Sequence, residues 1–97
     1  MARFDIFRMG DALVLDCQAD LLSDLPTRIV VPLLPKREAP PAKKVLNPIF
    51  RIDQAEYVLA TEFVACVDRR ELGAWIGTLS HCERDVVGAL NLLLTGF

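Results

Sequence analysis

The sequence has a single histidine, His81, among its 97 residues. That leaves an enzyme reading without an obvious nucleophile, base or metal site, because each needs further groups converging on the first. No carboxylate pair stands at metal-ligand spacing, and the five glycines form no phosphate-cradling loop. The three cysteines, Cys17, Cys66 and Cys82, are odd in number and include no C-x-x-C pair, which argues against a disulfide framework or a zinc site. Each stands in apolar surroundings, so buried thiols in a reducing compartment are expected. No apolar run approaches the roughly 20 residues of a membrane span. The opening MARFDIFRMG has neither an apolar h-region nor a cleavage site, so it does not read as a signal peptide. A formal net charge of −2 lacks the basic footprint of a nucleic-acid binder. These absences together predict a cytoplasmic protein without cofactor or metal, and with no membrane or direct nucleic-acid contact.

Apolar side chains are what the chain has in excess. They make up 53% of it, more than a soluble domain usually carries. A chain of 97 residues forms one domain with a modest core, so part of this material stays at the surface. A self-associating face is the sharper explanation, and a two-fold homodimer is the commonest form it takes.

The first half alternates like β-structure. Phe4 and Ile6 alternate with Arg3 and Asp5, Gly10 supplies a tight turn in RMGD, and Leu13, Leu15 and Cys17 then oppose Val14, Asp16 and Gln18. DLLSDLPT (20–27) is turn-rich, yet it carries Leu21 and Leu22, which are odd residues for a loop. RIVVPLL reads as a third strand, with Pro32 marking an edge or bulge. Residues 34–48, with four prolines and four basic side chains, are the least regular stretch, and a connection of that length is functional or disordered. IFRID and EYVLAT follow as two strands around a turn near Asp53-Gln54-Ala55, while EFVACV and RRELGAW are weaker candidates. Trp75 is expected in the core or a dimer interface. Asp68-Arg69-Arg70-Glu71 reads as a solvated charge cluster.

The chain then turns helical. Ser80-His81-Cys82-Glu83 has the form of a capping box and places the helix start near residue 81. Cys82, Val86, Ala89, Leu90, Leu93 and Phe97 fall on one face, with Val87 and Leu94 beside it and Leu92 widening the coverage. The last two turns are apolar nearly all round, as for a helix meeting two neighbours. Gly88 is costly inside a helix unless another backbone packs against it. Gly96 suits the left-handed position that ends one. Short strands followed by one helix describe a small α+β domain, mainly β, with a barrel-like antiparallel sheet.

Three stretches carry a resemblance. CQADLLSDLPTRIVVPL (17–33), VLNPIFRIDQAEYVLAT (45–61) and LSHCERDVVGALNLLLTGF (79–97) resemble the CcdB family of toxin–antitoxin systems over nearly the whole chain. The resemblance implies an SH3-like barrel over residues 1–97, homodimeric, with the C-terminal helices beside the two-fold axis. It also implies a toxin that binds the A subunit of DNA gyrase and traps it on cleaved DNA, relieved by a CcdA-like antitoxin. Carried over by position, the gyrase surface comprises Leu21, Leu22, Asn91, Leu94, Thr95, Gly96 and Phe97. The dimer interface comprises Leu90, Leu93 and Phe97, and Arg8, Met9, Gly10 and Lys43 are assigned to the antitoxin. Thr95 departs from the pattern, since the family has Trp immediately before the Gly. The alternatives are a homologue with weakened or lost gyrase poisoning, and a MazF-like ribonuclease recruiting Asp68, Arg69, Arg70 and His81.

Overall fold

The computed structural model describes residues 2–96, so Phe97, assigned to both the gyrase and dimer surfaces, lies outside the described residues. Seven strands precede one α-helix: β1 (Asp5–Met9), β2 (Ala12–Asp16), β3 (Thr27–Pro35), β4 (Ile49–Ile52), β5 (Ala55–Leu59), β6 (Ala65–Asp68), β7 (Trp75–Thr78) and α1 (Glu83–Thr95). One-turn 3-10 helices at 20–22, 36–38, 61–63, 69–71 and 80–82 make the corners. The sheet is antiparallel throughout, in the order β4-β5-β3-β2-β1-β7, and curls into half a barrel closed by α1. This is the α+β, mainly β arrangement read from the sequence.

β3 is the spine, and Pro32 explains how it serves two neighbours. β6 pairs with Thr27–Val30, and β5 pairs with Leu33–Pro35, both on the side away from β2. Pro32 falls between them, where its carbonyl accepts from the Ala60 amide at 2.9 Å. The N–H that proline lacks would point to the same side, into the gap where the partner changes. The proline marks a handover inside the sheet and not a free edge.

Alternation sorts the side chains. Ile6, Leu13, Leu15, Val31, Leu33, Phe50, Ile52 and Leu59 turn inward and meet Val86 and Ala89 of α1. Phe7, Val14 and Val30 point to the other face, where Met9, Val67 and Leu72 cover them as a second small cluster. Phe4 is buried with φ +71, a left-handed value costly for a bulky side chain, and is clamped through Phe4 N–Asp16 O (2.6 Å) and Leu79 N–Phe4 O (2.8 Å). The β4–β5 turn is a tight hairpin with positive φ at both Asp53 and Gln54, the pattern of a type I′ turn. Residues 39–48 form no regular element but are anchored from within. The buried Asn47 amide donates to Leu59 O (3.1 Å) and Glu62 Oε1 (2.7 Å), and Thr61 Oγ1 donates to Leu46 O (2.6 Å).

Two local expectations are corrected, the Ser80 cap and the burial of Cys66. The Ser80–Glu83 capping box does not form: the Ser80 amide donates to Thr78 Oγ1 at 3.1 Å, residues 80–82 make a 3-10 turn, and α1 begins at Glu83 without a side-chain cap. The capping box of this chain sits at Asp68 and Glu71 instead, inside the charge cluster. Cys66 is exposed on β6 while Cys17 is buried. Of the two places expected for Trp75, the structure excludes the core: the ring is 59% exposed on the edge strand β7. Among the described residues no backbone packs against Gly88, where an added Cβ would meet nothing within 4 Å. Gly88→Ala is therefore expected to raise unfolding free energy by about 1 kcal/mol in urea denaturation, the helix-propensity difference alone. No helix of the described residues is long and apolar enough to cross a membrane.

Candidate functional site

The loop bearing Leu21 and Leu22 is held from below by a buried polar network. Asp16 at the end of β2 and Arg28 in β3 are fully buried and paired, with Arg28 Nη2 and Nε at 2.6 and 3.1 Å from Asp16 Oδ2. The other arm of the guanidinium donates to Ser23 O at 3.3 Å. Gln18 donates its amide N–H to Asp16 Oδ1 (3.1 Å) and its side-chain N–H to Leu22 O (2.8 Å), and its Oε1 accepts from Ile29 N (3.1 Å). Asp20 accepts from the Arg3 amide at 2.8 Å. Pinned at Asp20, Leu22 and Ser23, the loop folds into a 3-10 turn that pushes Leu21 outward until it is 90% exposed.

The end of α1 lies across from this loop. Only Val86 and Ala89 of the helix are fully buried, while Asn91, Leu93, Leu94 and Thr95 are exposed, Leu94 to 72%. The Thr95 hydroxyl donates to Asn91 O at 2.7 Å. Gly96, at φ +81, takes the left-handed position and sends its amide to Leu92 O at 3.0 Å, which ends the helix as read. Between loop and helix lies an apolar groove of about 720 Å³, with Leu22 and Leu25 on one wall and Leu90, Asn91 and Leu94 on the other. Its floor is sheet surface around Ile29, Val64 and Cys66.

The structure thus brings Leu22, Leu90, Asn91 and Leu94 together, with Leu21, Thr95 and Gly96 at the margins of the same region. Leu93 is on another side of the helix and does not line the groove. Arg8, Met9 and Gly10 sit on the β1–β2 hairpin and Lys43 in the loop before β4; no hydrogen bond or ion pair among the described residues links them. Leu25, Ile29, Val64 and Val87 also belong to the groove and were not singled out as site residues. Ile29 and Val64 give no local signal, because their exposure follows from how β3, β6 and α1 converge.

Acid–base chemistry finds little support. Hydrogen bonds from Arg70 hold the exposed Asp68 carboxyl down at about 2, so it is a poor proton acceptor at neutral pH. No hydrogen bond or ion pair among the described residues joins Asp68 to His81. Thiol reactivity should follow burial. Desolvation, reinforced by Asp16, pushes the Cys17 thiol up to about 12. With Cys66 exposed, a disulfide reagent at pH 8 is expected to label Cys66 first and Cys17 only on unfolding. Mass spectrometry of the partly labelled protein checks this, and early labelling of Cys17 would contradict the packing.

Comparison with protein families settles the identity of the domain. A family model described as CcdB protein matches residues 3–96, nearly the full length. The chain belongs to the CcdB family. It is therefore a toxin of the toxin–antitoxin class, built on the half-barrel and C-terminal helix described above. For this CcdB-family chain, the loop and the helix end are the regions of exposed apolar surface that sequence and structure mark together.

Proposed function

We propose that this protein is a cytoplasmic, non-catalytic gyrase poison that binds the A subunit of DNA gyrase, traps the gyrase–DNA cleavage complex, and is neutralised by a CcdA-like antitoxin. DNA cleavage in this reading is gyrase's own chemistry. The toxin acts by binding the cleaved state more tightly than the resealed one, since only differential affinity moves such an equilibrium.

The observation that carries the reading is the pair of leucines, Leu21 and Leu94, left almost wholly in water beside one apolar groove. Contiguous exposed apolar surface of this kind marks a partner site. The helix divides the work by angle, at about 100° per residue. Leu93 faces a second copy of the chain, Leu90, which also lines the groove, lies at the boundary and serves both surfaces, and Asn91, Leu94, Thr95 and Gly96 turn toward gyrase with Leu21 and Leu22. Arg8, Met9, Gly10 and Lys43 remain the antitoxin contacts of this proposal.

Purified protein added to gyrase and supercoiled DNA should accumulate linear DNA after denaturation of the cleavage complex. No gyrase binding at micromolar protein would defeat the reading. Leu21→Glu should abolish trapping while leaving the thermal melt nearly unchanged, because surface substitutions away from packed features stay within about 0.5 kcal/mol. RNA degradation with no effect on gyrase would favour the ribonuclease alternative.

A further inference from the structure

Leu21 is 90% exposed, so its place is set by the backbone on either side of it and not by packing of its own. Groups outside the 19–25 loop reach it at three residues. Asp20 accepts from the Arg3 amide, Leu22 O accepts from Gln18, and Ser23 O accepts from Arg28 (3.3 Å) and Arg69 (3.5 Å). Leu21 lies between the first two of these ties. The second comes from a side chain that is itself nearly buried, Gln18 at 7% exposure.

Gln18 stands where β2 ends and the chain leaves the sheet. Cys17 N donates to Ile29 O at 2.8 Å, one half of an antiparallel rung, but no returning bond to Cys17 O forms among the described residues. Ile29 N donates instead to Gln18 Oε1 at 3.1 Å, so a side-chain oxygen completes the ladder. The other arm of the same amide, Nε2, reaches Leu22 O at 2.8 Å. Leu22 O also accepts from Leu25 N at 3.2 Å, but that bond lies within the loop and moves with it. One partner is an N–H and the other a carbonyl, so the amide fits in one orientation only. The Gln18 backbone N–H is fixed in turn on Asp16 Oδ1 at 3.1 Å, above the buried pair with Arg28. An ionised glutamate of the same length could accept from Ile29 N but has no proton for Leu22 O, and methionine offers neither bond.

We propose that Gln18 is the positioning residue of the gyrase-facing loop: its side-chain amide couples the end of the sheet to Leu22 and so holds Leu21 and Leu22 in the arrangement that a partner binds. The proposal rests on the reading above for the identity of that partner alone. A loop already held in its bound form loses less freedom on association, and apparent affinity falls with the fraction of molecules in that form. Gln18 therefore governs affinity while offering gyrase almost no surface of its own.

Gln18→Met and Gln18→Glu separate positioning from packing, since both fill the same length. Circular dichroism should show both variants folded, so that affinity reads the loop and not an unfolded fraction. Relative to the native chain at each pH, Gln18→Met should bind the gyrase A subunit about tenfold more weakly at pH 6 and pH 8 alike. Gln18→Glu should be weakened at least as much at pH 8 and recover toward the native value at pH 6, where a protonated carboxyl can again donate to Leu22 O and accept from Ile29 N. Burial and the carboxylates of Asp16 and Asp20 favour that protonated form; Arg28, committed to Asp16, and Arg3, whose Nε donates to Cys17 O at 3.4 Å, oppose it. Hydrogen exchange at the Leu22, Ser23 and Leu25 amides, which bond within the loop, should quicken about tenfold in Gln18→Met. Native affinity in folded Gln18→Met, or no recovery of Gln18→Glu on acidification, would overturn the assignment. A native chain that does not bind gyrase removes the partner and leaves loop exchange to decide. Quickened exchange then keeps Gln18 as the residue that positions these leucines, and unchanged exchange removes it.

Discussion

Asp16→Ala is expected to be the most destabilising single change in this chain, costing about 3–5 kcal/mol. Asp16 and Arg28 are both 0% exposed and are joined at 2.6 Å. Removing the carboxylate leaves a guanidinium in the interior with one remaining partner, Ser23 O, and no counter-charge. For a domain of this size the loss corresponds to a fall in Tm of roughly 15–30 °C. It also severs the bond from the Gln18 amide to Asp16, and with it one end of the network that holds Leu22 and Ser23. The loop should therefore loosen before the sheet does, visible as faster hydrogen exchange at residues 20–25 in the still-folded fraction. Replacing both partners together, Asp16→Leu with Arg28→Met, should recover most of the stability, because a packed apolar pair avoids both desolvation costs. If Asp16→Ala costs no more than about 1 kcal/mol, the pair is not the keystone that its geometry implies.

The same network shows what the sequence could and could not disclose. Alternation in LVLDCQ puts Leu13, Leu15 and Cys17 on one side and Val14, Asp16 and Gln18 on the opposite side, and says nothing of what covers the latter. In the structure that side holds a second apolar cluster and a buried ion pair, because the 19–25 loop and the 68–72 turn fold over it. A charge in a strand looks the same whether water or a distant arginine faces it, and Asp16 and Arg28 are twelve residues apart. Trp75 shows the converse. Its size argues for burial in a core or an interface, and β7, an edge strand, leaves the ring outside the core. Ser80 had a good capping pattern and lost it to a nearer competitor, the Thr78 hydroxyl. Leu21, Leu22 and the leucines of α1 stood out from the sequence because greasy residues in a loop, or all round a helix, conflict with local expectation. Their convergence on one groove required β3, β6, the loop and the helix to be placed together.

Thr95→Trp is expected to tighten binding to the gyrase A subunit by about 30-fold, the equivalent of a 2 kcal/mol hot-spot residue. Thr95 lies one turn beyond Asn91 on the helix, immediately before the left-handed Gly96 that ends it. Its side chain is exposed, and its one bond runs back to Asn91 O at 2.7 Å, within its own helix. A tryptophan here would displace no core residue. It would project an aromatic ring from the end of α1 beside Asn91 and Leu94, where a large rigid side chain gains most on desolvation. Folding stability should change by no more than about 0.5 kcal/mol, so a gain in binding would not be an effect of fold. Thr95→Ala serves as control, because it removes the hydroxyl bond without adding the ring and should leave gyrase binding where it is. Titration of cleavage-complex formation against each protein reads the difference directly. A variant no more potent than the parent, combined with indifference to Leu21→Glu, would mean that the leucines are exposed for another partner and that gyrase does not engage this end of the helix.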